Sequence, residues 1–434
     1  MTFERLRGFR DLYPEDAEPK SWAFSIAQEI ARSFGFRMID IPSLESLDLY
    51  RLKSGDELVG QTFSFTDKGG REVTMVPEAT PSVVRMLTSR KDIPRPVRWF
   101  SIPKIWRYEE PQSGRLREHM QFNADIFGVD TPEADAELIG LAATILDGLN
   151  LQGNYDIRIN DRKLMENLLH KMNINNISEI FSIIDRFRKT SHEDFSSMLK
   201  QSGVPDKTVS DIVSILEHQI NRGDLKNYLS SYIDIDQNLG QTIDRMETTL
   251  SIISQYTNSR IYVDFSTVRG LSYYTGIVFE VFDSKGELRS ILGGGRYDNL
   301  AKLISGQDIP AVGFGMGDVV LELLLKRAGL WKSSSDKPRY YVCTASDDLR
   351  KEALEIVIEL RKNGFIATMD VAQRNLSAQL KSATINSSDY AIIVGKKELE
   401  TDQVTIRNMS DGTQQQINRM KIVNEIKKMK RHAD

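Results

Sequence analysis

The sequence predicts an α+β protein, in which an antiparallel-sheet domain is interrupted by a helical insertion and followed by a smaller α/β domain. Three observations support this prediction. Strand-like segments with hairpin-length connections, which favour antiparallel pairing, lie over residues 97–108, 118–127, 260–268 and 273–282. The block between them, residues 161–254, is helical in pattern throughout. After residue 338, strand and helix patterns alternate, as expected of an α/β fold.

The composition is that of an ordinary globular protein. The chain has 434 residues, 40% hydrophobic and 27% charged, with a formal net charge of −4, which excludes a globally basic nucleic-acid coat protein and an acidic disordered chain. No apolar run approaches the roughly 20 residues needed to span a bilayer, and the first residues lack a secretory signal pattern. The single cysteine, Cys343, excludes an intramolecular disulfide and a cysteine-based zinc site. We therefore expect a cytoplasmic protein.

The domain boundaries follow from the same patterns. Residues 1–160 and 255–331 form the predicted sheet domain, residues 161–254 the insertion, and residues 337–434 the C-terminal domain. Residues 332–338 are short, polar and closed by proline, as is typical of a linker. The C-terminal domain is predicted to have strands over residues 339–344, 365–369 and 390–394, and helices over residues 347–363, 375–383 and 417–431.

Several common catalytic patterns are missing. No G-x-x-x-x-G-K-[ST] loop and no G-x-G-x-x-G after a strand is present, so standard ATPase and dinucleotide folds are unsupported. The five histidines have no metal-ligand spacing, and no metal site is predicted. No serine lies in a G-x-S-x-G elbow. If the protein handles phosphates, arginines must bind them.

The strongest candidate for phosphate binding is a charged hairpin over residues 106–121. Arg107, Arg115 and Arg117 lie close together on it, and guanidinium groups match phosphate oxygens with two parallel hydrogen bonds. The alternative is a solvated hairpin with surface ion pairs.

Three further segments are weaker candidates. Gly293, Gly294 and Gly295 follow an apolar strand and permit close approach of a ligand or of another strand. Arg269 precedes the paired residues Tyr273 and Tyr274, which offer a cation and two hydroxyls, or a bulge with packed rings. The pair Glu78 and Thr80 lies at a strand-to-helix junction, where a helix cap is the simpler explanation.

Taken together and in this order, these segments resemble histidyl-tRNA synthetase, a class II aminoacyl-tRNA synthetase family. The R-G-L-S-Y-Y string over residues 269–274 is similar to the histidine-specific signature and is the most specific part of the match. The C-terminal domain, with residues 378–383 and 393–395, resembles the family's anticodon-binding domain. The other matching segments are residues 8–11, 41–45 (motif 1), 77–80, 107–121 with Asp125 (motif 2), 293–298 and 311–317 (motif 3).

The resemblance implies a reaction and roles for its residues. L-histidine is joined to the α-phosphate of ATP, accompanied by Mg²⁺, and the histidyl group is then transferred to tRNA(His). Arg107 and Arg269 are expected to hold the α-phosphate. The substrate's α-amino group is expected to meet Glu78, Thr80 and Gln121, and its imidazole to meet Asp125 and Tyr274, with Tyr273 beside them. The resemblance also implies a homodimer formed through motif 1.

Two positions depart from the commonest family pattern. Residue 125 is aspartate where glutamate is frequent, and Val320 stands where motif 3 usually has an arginine. Valine cannot offset the charge of the ATP tail, so Arg115, beside the Ser113–Gly114 tip, is expected to approach that tail instead.

Two alternatives stay open, one from a different functional class and one a related synthetase. A non-catalytic synthetase-like paralogue that regulates histidine biosynthesis would typically lack the C-terminal domain and erode the R-G-L-S-Y-Y string, and both are present here. A class II synthetase for another amino acid, such as proline or threonine, would not place Arg269, Tyr273 and Tyr274 in this arrangement.

Overall fold

A computed structural model describes residues 3–52, 60–268, 274–332 and 338–431. The chain divides into two compact units, residues 1–333 and 334–434. The division falls in the predicted linker, of which residues 333–337 lie outside the described part. Among the described residues, no helix is long and apolar enough to cross a membrane.

The first unit is organised around a nine-stranded sheet. Its strand order is β1-β5-β7-β12-β11-β10-β8-β9, with β6 also paired to β7, and a separate three-stranded sheet has the order β2-β4-β3. Only the outer pairs β1–β5 and β8–β9 are parallel, so the predicted antiparallel core is confirmed. The strands are β1 (Arg37–Met38), β2 (Leu44–Ser46), β3 (Ser64–Thr66), β4 (Glu72–Met75), β5 (Val97–Ser101), β6 (Lys104–Trp106), β7 (Glu118–Phe127), β8 (Tyr155–Asp161), β9 (Arg260–Val263), β10 (Ile277–Asp283), β11 (Leu292–Arg296) and β12 (Ala311–Gly317).

Helices cover this sheet and build the insertion. The helix Pro132–Gly148 begins with proline after Thr131, whose hydroxyl accepts from the Ala134 amide, and it is buried on most of its surface. It packs between the helices Pro14–Ser33 and Gln237–Ile253. The helices of the first unit that lie wholly in the described part are Pro14–Ser33, Ala79–Thr88, Pro132–Gly148, Arg162–Lys171, Ile177–Ile184, His192–Gln201, Asp206–Glu217, Leu225–Leu229, Gln237–Ile253, Leu300–Ser305 and Asp318–Arg327.

The predicted helical block is present and shares its core with the sheet. Strand β8 ends at Asp161, whose carboxylate caps the next helix by accepting from the Leu164 amide at 2.9 Å. The insertion's apolar side chains belong to the same buried cluster as the sheet residues. At its far end, Arg245 forms an ion pair with Asp135 (3.0 Å), which also accepts from Arg296 beside the sheet's centre (2.6 Å). The insertion is therefore anchored to the sheet by both packing and charge.

The strand predictions needed three corrections. The predicted strand over residues 97–108 is broken at Pro103, which has no amide hydrogen to donate to a ladder, and becomes β5 and β6. The predicted strand over residues 260–268 stops at Val263, because Asp264 accepts from the amide of Ser266 in a turn. The strand predicted from residue 273 begins at Ile277, and residue 273 itself lies outside the described part.

The second unit is a small α/β domain, as predicted. Its sheet order is β14-β13-β15-β16-β17, and the strands are β13 (Arg339–Thr344), β14 (Ile366–Met369), β15 (Tyr390–Val394), β16 (Gln403–Asn408) and β17 (Gln414–Asn418). Strand β13 pairs in parallel with β14 and β15, whereas β16 and β17 add antiparallel strands that the sequence analysis missed. The last helix begins at Ile422 and not at residue 417, because residues 414–418 pair with β16. The helices are Arg350–Lys362, Leu376–Ile385, Lys396–Leu399 and Ile422–Arg431.

Candidate active site

A cavity of about 280 Å³ opens above the centre of the first unit's sheet. Its floor comes from β7, β11 and β12, and the hairpin between β6 and β7 forms one wall. Arg107, Arg115 and Gln121, all predicted site residues, line it. Three further lining residues, which the sequence analysis did not select, are Glu280, Arg289 and His119.

Glycines make room for the polar side chains on this floor. A Cβ atom on Gly315 would lie 2.0 Å from Nε2 of Gln121, and one on Gly313 would lie 2.0 Å from Oδ1 of Asp125. Both separations are far shorter than a van der Waals contact. Strand β12 therefore needs glycine at these positions, opposite the functional residues of β7.

Arg107 is held at one side of the cavity with its charge available. Its Nε donates to the carbonyl of Pro77 at 2.8 Å, and its backbone amide donates to the backbone carbonyl of Arg117. Among the described carboxylates, none forms an ion pair with it. Burial and the positive charge of Arg107 lower the pKa of His119 to about 4, so this histidine is uncharged near neutral pH. An anion in the cavity would therefore meet Arg107 and not a histidine cation.

The two arginines near the hairpin tip point to different places. Arg115 follows Gly114, whose φ of 76° suits glycine, and its Nε lies 2.8 Å from the Glu109 carboxylate on the cavity wall. Arg117 stacks over the Tyr108 ring, with its guanidinium carbon 4.1 Å from the ring centroid. Of this pair, only Arg115 lines the cavity.

A second polar group lies beside the glycine floor. Tyr297 donates a hydrogen bond to Asp125, and both side chains are buried. The pKa of Asp125 is raised to about 7, chiefly by burial; the hydrogen bond from Tyr297 opposes this rise, and the charge of Glu78 adds to it. Tyr274 is buried next to Gly295, where a Cβ atom would approach its ring to 2.9 Å. Both Tyr274 and Glu78 act electrostatically on Tyr297, so the four side chains form one cluster.

Glu78 stands at the N-cap position of a helix but does not cap it with its side chain. It precedes the helix Ala79–Thr88 in an extended conformation, but its buried side chain makes no capping hydrogen bond. Thr80 is partly buried in the first turn of the same helix. Gln121 donates from Nε2 to Asn123 at 2.7 Å, which leaves its amide oxygen as an acceptor, and its side chain also interacts with His119. Two further predicted residues, Arg269 and Tyr273, lie outside the described part of the chain.

Tyr297 is the buried residue that sequence reasoning missed. The G-G-G-R-Y-D segment had been noted for its glycines, whereas its tyrosine contacts Asp125, which lies on a strand far away in sequence. The pairing of Gly313 with Asp125 creates this proximity, and such pairing is a tertiary property. The signal available in the sequence was the position of the tyrosine next to the glycines.

Sequence comparison finds relatives over nearly the whole chain. The sequence model described as histidyl-tRNA synthetase matches residues 8–318, and the one described as anticodon binding domain matches residues 339–429. The chain is 52% identical to the histidine–tRNA ligase of Picrophilus torridus, covering 98% of this chain and all of the relative. It is 51% identical to the histidine–tRNA ligase of Thermoplasma volcanium, covering 96% of each.

Solved structures share the fold. The histidyl-tRNA synthetase of Nostoc sp. PCC 7120 superposes with a TM-score of 0.87 at 21% identity, covering 99% of this chain and all of that one. A Bacillus halodurans protein described as an ATP phosphoribosyltransferase regulatory subunit/histidyl-tRNA synthetase gives a TM-score of 0.74 at 22% identity, covering 88% of this chain and 97% of that one. At these identities the likeness shows the fold alone.

Proposed function

The chain belongs to the histidyl-tRNA synthetase family, and we propose that its cavity activates L-histidine with ATP and transfers the histidyl group to tRNA(His). One observation carries this proposal: an arginine without a carboxylate partner among the described residues and a buried Asp125–Tyr297 pair both adjoin the same glycine-lined strands. Aminoacylated tRNA is consumed at the ribosome, so we place the reaction in the cytoplasm.

The buried cluster is suited to an imidazole ring. A neutral imidazole has one N–H donor and one nitrogen acceptor. The ionised Asp125 accepts from the ring N–H, while Tyr297 fixes the orientation of that carboxylate. Tyr274, buried beside Gly295, is the second proposed partner of the ring. The α-ammonium group of the substrate is met by the carboxylate of Glu78, the hydroxyl of Thr80 and the amide oxygen of Gln121.

The first chemical step needs no nucleophile from the protein. An oxygen of the histidine carboxylate forms a bond to the α-phosphorus of ATP, and the bond to the β-phosphate oxygen breaks, releasing pyrophosphate. Negative charge on the α-phosphate is stabilised by Arg107, held in place by Pro77, and by Arg269 from the family signature. Mg²⁺ enters with ATP as part of the substrate.

The second step uses the C-terminal unit. A terminal ribose hydroxyl of tRNA attacks the histidyl carbonyl carbon, and AMP leaves. Residues 336–434 have 17 Lys and Arg against 14 Asp and Glu, a net charge of +3 that suits a phosphate backbone. The match of residues 339–429 to the anticodon-binding model supports tRNA recognition by this unit.

The regulatory paralogue is the less supported reading. The two relatives quoted above are named histidine–tRNA ligases and align with 98% and 96% of this chain, a span that includes the C-terminal domain. The R-G-L-S-Y-Y string is intact in the sequence. A non-catalytic protein would have no need to keep both.

ATP–pyrophosphate exchange with each amino acid in turn tests the proposal. We expect exchange with histidine alone, because other side chains would leave the buried polar groups unpaired, a loss that can reach about 10⁴-fold. Arg107→Ala is the negative control. A folded wild-type protein without histidine-dependent exchange would favour the regulatory function.

We also propose that the protein is a homodimer through its motif 1 region. Strands β2 and β3 flank β4, and the strand register places Leu44, Phe65 and Val73 on one face of that small sheet. Leu44 and Phe65 are exposed in the single chain, which suits an interface. Sedimentation should give a dimer for the wild type and a monomer for Phe65→Asp. A wild-type monomer would contradict the proposal.

A further inference from the structure

The charge on the cavity wall depends on one residue that the sequence analysis did not select. Arg107, Arg115 and Arg289 line the cavity with Glu109 and Glu280. Because Glu109 is ion-paired with Arg115, these two charges cancel. The remaining charges of the described lining are two arginines and one glutamate, and without Arg289 this described part of the wall would have no net charge. A polyanionic ligand needs that surplus.

Arg289 is presented by a well-defined turn between β10 and β11. Asp283 accepts from the amides of Glu287 (3.1 Å) and Leu288 (2.7 Å), and Ser290 donates to the carbonyl of Leu292 at 2.9 Å. These bonds hold the backbone on both sides of Arg289. Its position on the wall is therefore fixed by the turn.

The side chain of Arg289 reaches the place where Val320 leaves a gap. A Cβ atom on Gly114, at the hairpin tip, would lie 3.3 Å from Cγ2 of Val320 and 3.5 Å from Cδ of Arg289. The valine and the arginine thus converge on the same point of the tip. A cation on the β10–β11 turn can therefore place a positive charge beside Val320, whose side chain has no charge.

The guanidinium group of Arg289 is also available to a ligand. No hydrogen bond or ion pair joins its guanidinium to another residue of the described chain. Partial burial and the like charge of Arg115 lower the pKa of Arg289, with Glu109 opposing them. Because Glu109 is paired with Arg115, the nearby guanidinium of Arg289 favours an added anion.

We propose that Arg289 binds the β- and γ-phosphates of ATP, supplying from the β10–β11 turn the positive charge that Val320 lacks. The inference rests on the proposed function, since it requires that the cavity bind ATP. Arg107 lies against Pro77, next to Glu78 and the histidine pocket, so it serves the reacting α-phosphate. Arg289 lies against Gly114 at the hairpin tip, beside Val320, the position where the family's motif 3 usually has the arginine for the ATP tail.

Exchange kinetics with ATP and histidine varied separately test this assignment. Arg289→Ala should raise the KM for ATP about tenfold or more, the loss expected for a charge-assisted hydrogen bond, and leave the KM for histidine unchanged. Arg289→Lys should recover part of the loss, because it keeps the charge without the planar fork. Lys285→Ala is the matched control: this exposed cation lies on the same turn but does not line the cavity, so the KM for ATP should not change.

A charge relocation makes the test sharper. In the Arg289→Ala background, Val320→Arg should restore much of the ATP affinity, because both side chains meet the same point on Gly114. In the wild type, the same substitution adds a third cation beside Arg115 and should give no gain. A double variant no better than Arg289→Ala would overturn the idea that the two positions serve one phosphate site.

Equilibrium binding without histidine separates the tail from the rest of the nucleotide. AMP has no β- or γ-phosphate, so Arg289→Ala should weaken binding of MgATP and leave binding of AMP unchanged. An equal loss for AMP, or a defect confined to tRNA charging, would overturn the assignment. If the wild type shows no histidine-dependent exchange, the proposed function fails. If it does and Arg289→Ala keeps the wild-type KM for ATP, this inference alone fails.

Discussion

Burial disfavours the ionised form of the Asp125 carboxyl group. Its pKa is raised from the usual 3.8 to about 7, chiefly by burial. The folded protein therefore binds a proton at this site more tightly than the unfolded chain does. The associated stability is fully present below about pH 4, falls as the pH rises towards about 7, and stays low above that value.

Replacing Asp125 with asparagine should remove that pH dependence. Relative to the wild type, we expect Asp125→Asn to gain in melting temperature between about pH 5 and about pH 8, since the amide cannot ionise. Histidine-dependent exchange should fall on the order of 10²-fold, because an acceptor for the ring N–H loses its charge. Thermal melts at both pH values check the first part, with Asp308→Asn at an exposed position as control. A stability difference that is the same at both pH values would contradict the burial argument.

Tyr297 should control the protonation of Asp125. Its hydrogen bond lowers the pKa of that carboxyl, so Tyr297→Phe should raise it. The acid limb of kcat/KM for histidine should then move to higher pH, while the KM for ATP stays constant. The pH profile distinguishes this positioning role from a purely structural one, which would lower the rate equally at every pH. An unshifted acid limb would remove Tyr297 from the proposed role.

At the scale of elements, the glycines of strand β12 leave space for side chains of the neighbouring strand β7. A Cβ atom added to Gly313 would lie 2.0 Å from the side chain of Asp125, and one added to Gly315 would lie 2.0 Å from the side chain of Gln121. Both would be collisions. At Gly317, an added Cβ would meet only Cδ2 of His119 at 3.6 Å, an ordinary contact. The same substitution therefore has very different consequences along one strand.

Alanine substitutions along β12 test this difference. Gly313→Ala and Gly315→Ala should displace Asp125 and Gln121 and reduce histidine-dependent exchange on the order of 10²-fold or more. Gly317→Ala should change it by no more than a few-fold. Exchange assays at saturating ATP, with circular dichroism to check folding, provide the measurement. Equal activity of the three variants would show that the floor adapts to side chains.

The sequence could predict elements whose pattern is local. The helical insertion and strands β13, β14 and β15 were identified from periodicity, and Pro103 alone was enough to break a predicted strand. Strand β17 was missed, because Gln414, Gln415 and Gln416 show no apolar alternation and become a strand only by pairing with β16. The contact of Tyr297 with Asp125 and the convergence of Arg289 on Gly114 depend on sheet order and turns, which no local pattern encodes.

At the scale of the whole molecule, the two units have separate cores. Buried clusters around Ile157 and Val84 lie in the first unit, and those around Val342 and Cys343 lie in the second. Each unit therefore has the packing it needs to fold alone. The proposed chemistry of adenylate formation uses only residues of the first unit.

Truncation should separate the two steps of the reaction. A chain ending at residue 333 is expected to keep histidine-dependent exchange within a few-fold and to lose most tRNA charging. The isolated second unit should bind tRNA, and the binding should weaken as salt rises. Exchange, charging and filter binding on the three chains provide the measurements. A truncated protein that charges tRNA as well as the full chain would exclude the second unit from tRNA recognition.

The sheet order also sets when an active centre can exist during synthesis. Strand β7 must pair with β12 along Gln121–Phe127, and β12 leaves the ribosome only after the whole insertion has been made. Until then, the edge of the ten-residue strand β7 that pairs with β12 has no partner. Such an edge can pair with another chain and start aggregation. Closing so long a loop is entropically costly and slows folding. The nascent chain thus acquires its cavity late, and delayed translation between β7 and β12 prolongs its exposure.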